Sequence, residues 1–284
     1  MALISEKNIY YLGPDGSNAH CAMLKFLKVC NISVENKIPQ RNIRTVIDCE
    51  VKDLQALCVL PIENSIEGIV RETIDNLLKV KDSDIQIRGE ISLPIRHLLL
   101  AKTTNINDIK KIISHPQALA QCSSFLHEKF KNAEIQEVSS TSYAAQKVST
   151  SNDNTIAAIA NEESARIFNL NVLSSDINDE NNNLTRFYIL SRKNFDKTQN
   201  GKTALAFATK NESGALCKAL QVFDKYSINL TYIDSRPSKK KIGEYVFFVE
   251  IEGYREDEKN KNAISELSSY TEFVKILGSF QVFK

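Results

Sequence analysis

Apolar and polar positions change their period several times along the chain. Residues 9–12 are a short apolar run closed by a Gly/Pro turn, the pattern of a strand end. Residues 19–29 repeat at helical spacing, with Ala22, Leu24, Phe26, Leu27 and Val29 apolar. Residues 56–60 are a short apolar run of the kind a buried strand shows. A helix follows over 70–80, with Val70, Ile74, Leu77 and Leu78 on one face. The pattern then predicts one extended segment over 91–101. A helix is predicted over 106–112, capped by Asn107 or a neighbour, and a strand ending near Ser114. Pro116 stands where a first helical turn tolerates proline, and that helix is expected to reach about Phe130. A strand at 135–138, a helix at 142–148, a strand at 155–159, a helix at 162–168 and a strand at 186–190 complete the series. Such alternation predicts an α/β fold with parallel sheets covered by helices.

Residues 192–201 are polar and read as a linker. Beyond them the grammar changes to strand 203–208, helix 214–226, strands 228–234 and 245–251, helix 259–269 and strand 273–280. That is the βαββαβ order of a ferredoxin-like domain. We therefore place the domains at 1–193 and 202–284, with 194–201 between them. Lys239, Lys240 and Lys241 fall in a turn of the second domain and read as a solvated face.

Charge and composition remove whole classes of function. Net charge is +1, with 42% apolar and 25% charged residues. Nothing in that balance calls for nucleic acid or a membrane as partner, and any anion must be met by a local potential. The chain reaches a strand-like segment within eight residues of Met1, leaving no room for a leader, and its apolar runs are too short to span a bilayer. A cytoplasmic protein is expected. The six cysteines form no C-x-x-C pair and read as reduced thiols, and the four histidines show no metal spacing.

Four polar segments fall where strands end. Gly13-Pro14-Asp15-Gly16-Ser17 is either a tight turn or a backbone cradle for an anion at a helix start. Pro61 to Gly68 follows an apolar strand, the position where open α/β sheets bind ligands. There Asn64 and Ser65 either donate to a carboxylate or cap the next helix. In Ser114 to Gln121, Gln117 and Gln121 share a helix face and, with Ser114, line one wall, while His115 reads as structural or titrating. Asn181, Asn182 and Asn183 make a turn before Thr185-Arg186-Phe187. Arg186 needs an anionic partner there, either substrate or protein.

Taken in order, Tyr11–Ser17, Pro61–Gly68, Ser114–Gln121 and Asn183–Phe187 resemble the motifs of the prephenate dehydratase family. The tail resembles an ACT domain of the phenylalanine-sensing kind. Gly214, Ala215 and Leu216 match its Gly-Ala-Leu loop, and Asp234, Ser235, Arg236 and Pro237 match its Glu-Ser-Arg-Pro motif. Ser17 stands for a usual threonine, Asn18 for a common aromatic and Asp234 for the usual glutamate. The resemblance implies a bilobed, periplasmic-binding-protein-like catalytic domain with the site between its lobes. With no chorismate mutase region before residue 1, it implies a dehydratase without that fusion.

The resemblance also implies a reaction. Prephenate would lose CO₂ and its ring hydroxyl to give phenylpyruvate, driven by aromatisation and requiring no metal or cofactor. Thr185 matches the family's catalytic threonine. Arg186 is the candidate electrostatic clamp, Glu63 a candidate proton source if burial raises its pKa, and Phe187 completes the catalytic segment. Asn64, Ser65, Ser114 and Gln121 are the candidate substrate contacts. L-Phenylalanine would act through 214–216 and 234–237, across a homodimer or homotetramer. A chain ending near Arg192 is expected to stay active and ignore phenylalanine. Two rivals are an arogenate dehydratase and a non-catalytic amino-acid-binding protein.

Overall fold

The computed structural model describes residues 4–81, 85–193, 195, 197–238 and 244–283. The three lysines at 239–241 lie outside them. Strand β1 (Ile4–Leu12) leads through the Gly13–Ser17 turn into α1 (Asn18–Cys30). The Ser17 hydroxyl accepts the His20 N–H and starts the helix. Next come β2 (Ile32–Gln40), α2 (Ile43–Lys52), β3 (Leu57–Asn64), the two-residue β4 (Gly68–Ile69), α3 (Arg71–Leu77) and β5 (Gln86–Pro94). The chain then crosses to a second lobe with β6 (Leu98–Ala101), a 3-10 turn (Ile106–Asp108), β7 (Lys111–Ser114), α4 (Pro116–Ala120) and α5 (Ser123–Lys129). That lobe ends with β8 (Glu134–Glu137), α6 (Thr141–Thr150), β9 (Ile156–Ala160), α7 (Glu162–Phe168) and β10 (Asn171–Ser174), and β11 (Leu184–Ser191) returns to the first.

Three sequence expectations change here. The extended run over 91–101 is two strands, because Pro94 to His97 forms the crossing between lobes. The helix over 106–112 is a single 3-10 turn capped by Asn105, followed by β7. The helix over 116–130 breaks at Gln121 and Cys122 into α4 and α5. The sheets are also mixed rather than parallel. β1 pairs parallel with β2 and β3, and β7 with β8 and β9, but the returning β11 is antiparallel to both β3 and β5.

The tail holds β12 (Gly201–Ala208), α8 (Ala215–Lys225), β13 (Leu230–Pro237), β14 (Tyr245–Glu252), α9 (Glu258–Leu267) and β15 (Phe273–Phe283). Its sheet does not stand apart. β15 pairs parallel with β5 through Gln281, Val282 and Phe283, giving one continuous ten-stranded sheet. A Cβ at Gly278 would lie 2.2 Å from the Ile87 carbonyl oxygen, so only glycine lets the two backbones approach this closely. Ala204, Ala206, Phe248, Leu277 and Phe280 share one core cluster with Ile43, Cys58, Leu60, Tyr188 and Leu190 of the first lobe. Phe195, between the two parts, packs edge-on against Phe26 and Phe283. Among the described residues no helix is long and apolar enough to cross a membrane.

Candidate active site

Two segments cross between the lobes, and they are stapled to each other. Ile95 N–H donates to the Asn183 carbonyl at 2.8 Å, Ile177 N–H to the His97 carbonyl at 3.1 Å, and His97 N–H to Asn178 Oδ1 at 2.7 Å. Above this hinge lies a cleft of about 460 Å³, within the range of about 300–1,000 Å³ usual for small-molecule sites. The Gly13–Ser17 turn forms its rim and docks on the second lobe. Asn161 Nδ2 and the Ser164 hydroxyl donate to the Gly16 carbonyl at 2.8 and 3.1 Å, and the Ser142 hydroxyl donates to the Asp15 carbonyl. Gly16 has φ +80°, and a Cβ there would lie 2.7 Å from Ser164 Oγ, so both the conformation and the contact favour glycine.

The floor is set by one register. On facing strands Thr185 pairs with Asn64, and Arg186 with Glu63. Because side chains alternate along a strand, one pair faces the cleft and the next faces away. Thr185, Asn64 and Phe187 line the cleft, as do His97, His115, Gln117, Gln121 and Asn183. Asn64 Nδ2 donates to Thr185 Oγ1 at 2.9 Å and to Asn183 Oδ1 at 2.6 Å. Asn183 Nδ2 donates to Gln121 Oε1 at 3.0 Å, and His97 Nε2 meets the same oxygen at 3.1 Å. Burial lowers the pKa of His97 against the opposing hydrogen bond to Gln121.

Arg186 and Glu63 point the other way. Arg186 contacts Glu63 at 2.7 Å, Glu90 at 2.6 Å and Glu250 at 2.6 Å, and Lys202 adds contacts of 3.2 Å to Glu90 and Glu250. The Tyr188 hydroxyl donates to Glu250. Burial by itself would lower the Arg186 pKa, but the Glu90 hydrogen bond and the Glu250 charge outweigh it and raise it. Burial likewise opposes ionisation of Glu250, yet the Arg186 and Lys202 charges hold that carboxyl below its usual range. This corrects two expectations. Arg186 does not clamp a ligand, because its donors serve three carboxylates on the face toward the tail. Glu63 is no proton source for the cleft, because its carboxylate is turned to Arg186. Replacing Arg186 by methionine should cost about 3–5 kcal/mol of stability, as when one partner of a buried ion cluster is removed, and leave substrate affinity unchanged. Thermal melting together with a binding titration checks this; lost affinity at an unchanged melting temperature would restore the clamp.

Two further expectations fail on geometry. The Ser114 hydroxyl is fully buried and donates to the Ile159 carbonyl at 2.6 Å, joining β7 to β9. Ser65 Oγ donates to the Asn182 carbonyl and accepts the Leu184 N–H, so it fastens the 181–184 turn. Neither lines the cleft. His97 and Asn183 do, and sequence reasoning missed both. Asn183 was hidden in a run of three asparagines that reads as a turn. His97 carries no spacing signal, and its one clue is that it directly precedes an apolar strand.

Among the described residues the lining holds no lysine or arginine, and Glu67 is its acidic member. The local positive potential expected from sequence comes instead from neutral donors and from the amino ends of α1 and α6, whose first residues lie in the wall.

The effector candidates sit at one end of the tail sheet. Registers place Ala208 opposite Val246 and Val246 opposite Arg236, so α8, which follows β12, starts at that same end. Gly214 precedes α8 with φ +77°. Arg236 contacts Asp75 of α3 at 3.1 Å and Asp234 at 3.9 Å. With Pro237 it lines a cavity of about 350 Å³ against α3, whose lining includes none of residues 214–216.

Comparison with known proteins gives the same two parts. A family model described as prephenate dehydratase matches residues 9–195, and one described as ACT domain matches residues 203–269. The chain is 40% identical to a prephenate dehydratase of Methanocaldococcus jannaschii, over 98% of this chain and 99% of that one. It is also 40% identical to a bifunctional chorismate mutase/prephenate dehydratase of Aquifex aeolicus, over 99% of this chain and 75% of that one. The crystal structure of a prephenate dehydratase of Arthrobacter aurescens in complex with L-Phe superposes with a TM-score of 0.85 at 29% identity, covering 96% of this chain and 89% of that one.

Proposed function

The chain belongs to the prephenate dehydratase family, and we propose that its cleft converts prephenate to phenylpyruvate, CO₂ and water with Thr185 as donor to the departing hydroxyl. The observation that carries this reading is the bond from Asn64 Nδ2 to Thr185 Oγ1. A hydroxyl that accepts there keeps its own hydrogen for a second partner. Decarboxylation breaks the bond between the ring and its carboxylate. The freed pair moves through the ring and expels the hydroxyl on the far carbon. One proton is consumed as that hydroxyl leaves as water. The Thr185 O–H stabilises the charge that grows on the departing oxygen, the proton itself arriving through solvent. Gln121 and the amino ends of α1 and α6 suit the two carboxylates of the substrate, and Phe187 packs beside them.

The ACT segment supports regulation by L-phenylalanine. Gly214 leaves the start of α8 open, with none of the described residues beyond its chain neighbours within 4 Å of a Cβ built there, so a ligand backbone has access to its N–H groups. In this reading Ala215 and Leu216 contribute apolar contacts, and Asp234, Ser235, Arg236 and Pro237 come from a second copy in a homodimer or a pair of dimers. Incubating the purified protein with prephenate and with arogenate tests the whole reading. Phenylpyruvate should form from prephenate, and phenylalanine should slow it. Faster turnover of arogenate, or binding of phenylalanine without turnover of either compound, would overturn it.

A further inference from the structure

The hydrogen bonds around Thr185 have only one consistent direction, and following it assigns roles to two residues that were not among the expected substrate contacts. Asn64 Oδ1 accepts two backbone donors of its own turn, Ile66 N–H and Glu67 N–H, each at 3.0 Å. Those two N–H groups cannot reverse, so the Asn64 amide cannot flip. Its NH₂ therefore faces Asn183 and Thr185. Asn183 must present Oδ1 to it and so turns its own NH₂ to Gln121. Gln121 must receive that donor on Oε1, and His97 can approach the same oxygen only with its hydrogen on Nε2. This series of hydrogen bonds thus fixes a histidine tautomer from the turn that follows β3.

Both open ends are then donors. Thr185 accepts from Asn64, and its O–H has no acceptor among the described residues. Gln121 Nε2 is buried and has no hydrogen-bond partner among the described residues. A buried donor left without an acceptor is costly, so this one points to an oxygen atom of a ligand. The participants also span the hinge. Asn64 and Thr185 belong to the first lobe, Gln121 to the second, and His97 and Asn183 to the two crossing segments. Asn183 is 1% exposed and His97 5%, so neither is exchanging its bonds with bulk water.

We propose that His97 and Asn183 are positioning residues for the dehydration: they lock the Gln121 amide and, through Asn64, the Thr185 hydroxyl so that both ends of this hydrogen-bond chain offer donors to the oxygens of the substrate. This rests on the dehydratase reading. Asn183→Asp keeps the shape and the acceptor for Asn64 but sets a carboxylate oxygen against Gln121 Oε1, forcing that amide to turn its oxygen outward. His97→Phe keeps a ring and removes the donor, and His97→Gln returns an NH₂ near the place of Nε2.

Steady-state kinetics on prephenate, thermal melting and histidine ¹⁵N NMR of the full chain test the idea. Asn183→Asp and His97→Phe should lower kcat by about 10–100-fold with a smaller change in KM, the size expected for misaimed transition-state donors. His97→Gln should recover most of that loss. In a Gln121→Ala background the His97→Phe change should cost little more, because residues acting through one partner are not additive. The unsubstituted protein should carry the His97 hydrogen on Nε2. Full kcat in folded His97→Phe and Asn183→Asp would overturn the proposal, as would equal losses with and without Gln121. If either variant fails to fold, the tautomer decides alone, and a hydrogen on Nδ1 overturns it. An unsubstituted enzyme that never forms phenylpyruvate while showing the Nε2 tautomer would instead sink the dehydratase reading.

Discussion

Thr185→Ala is expected to lower kcat for phenylpyruvate formation by about 10²–10³-fold, the usual loss when one preorganised transition-state donor is removed. The fold should survive. Thr185 is 8% exposed, but among the described residues its hydroxyl accepts from one donor, Asn64 Nδ2, which retains Asn183 Oδ1 at 2.6 Å and the Leu184 carbonyl at 3.3 Å. Losing one methyl and one hydroxyl at a cleft wall costs little beside the strand pairing of β11 with β3 and β5. KM should move less than kcat, since the donor acts on charge that appears only as the hydroxyl departs. Thr185→Ser should restore much of the rate. Steady-state kinetics with a melting curve checks all three, and near-normal turnover in a folded Thr185→Ala protein would remove Thr185 from the mechanism.

Ending the chain at Arg192 is expected to abolish activity by abolishing the fold. The sequence suggested the opposite, because a polar linker between two recognisable patterns looks like a place to cut. The structure joins the parts in three ways. β5 would lose its partner β15 and become an open edge in the middle of a sheet. The first lobe would lose Phe248 and Phe280 from its own core, and Phe26 would lose Phe195 and Phe283. Arg186 would lose Glu250. Phe248 and Phe280 are fully buried and Phe195 and Phe283 partly so; each fully buried phenylalanine removed costs about 3–5 kcal/mol, so the first two alone rival the whole stability of about 5–15 kcal/mol typical of a native protein. Circular dichroism and soluble yield of the shortened chain read this out. A soluble, active product that ignores phenylalanine would show that the two parts are separable after all.

Much of the fold was legible because it is written locally. Strand and helix alternation gave most elements of both parts, and the βαββαβ order of the tail emerged from periodicity alone. Errors arose where a local pattern fits two structures. Ile106, Ile109 and Ile112 repeat every three residues, as on a helix, yet β7 pairing with β9 claims Ile112 for the sheet. The apolar run across 91–101 hid a crossing between lobes that only Pro94 hints at. The stretch over 32–52 yielded no prediction, although it holds β2 and α2. In the site, Thr185, Asn64 and Gln121 were legible as polar residues at strand and helix ends. Which face each occupies was not. Adjacent residues on a strand face opposite sides, so Thr185 and Arg186 part company by parity, and the three partners that claim Arg186 lie 123, 96 and 64 residues away. Ser114 was misread for the same reason: its acceptor, Ile159, is 45 residues off.

The absence of lysine and arginine from the described cleft lining bears on how substrate arrives. Cationic clefts gather anions from a distance, and that advantage fades as added salt shortens the Debye length to about 8 Å at 0.15 M ionic strength. Here attraction comes from dipoles and hydroxyls, whose reach is a few ångströms, on a chain whose net charge is only +1. Capture of a dianion is then expected to depend on collision with an open cleft rather than on steering, so its rate constant should be nearly the same in dilute buffer and in concentrated salt.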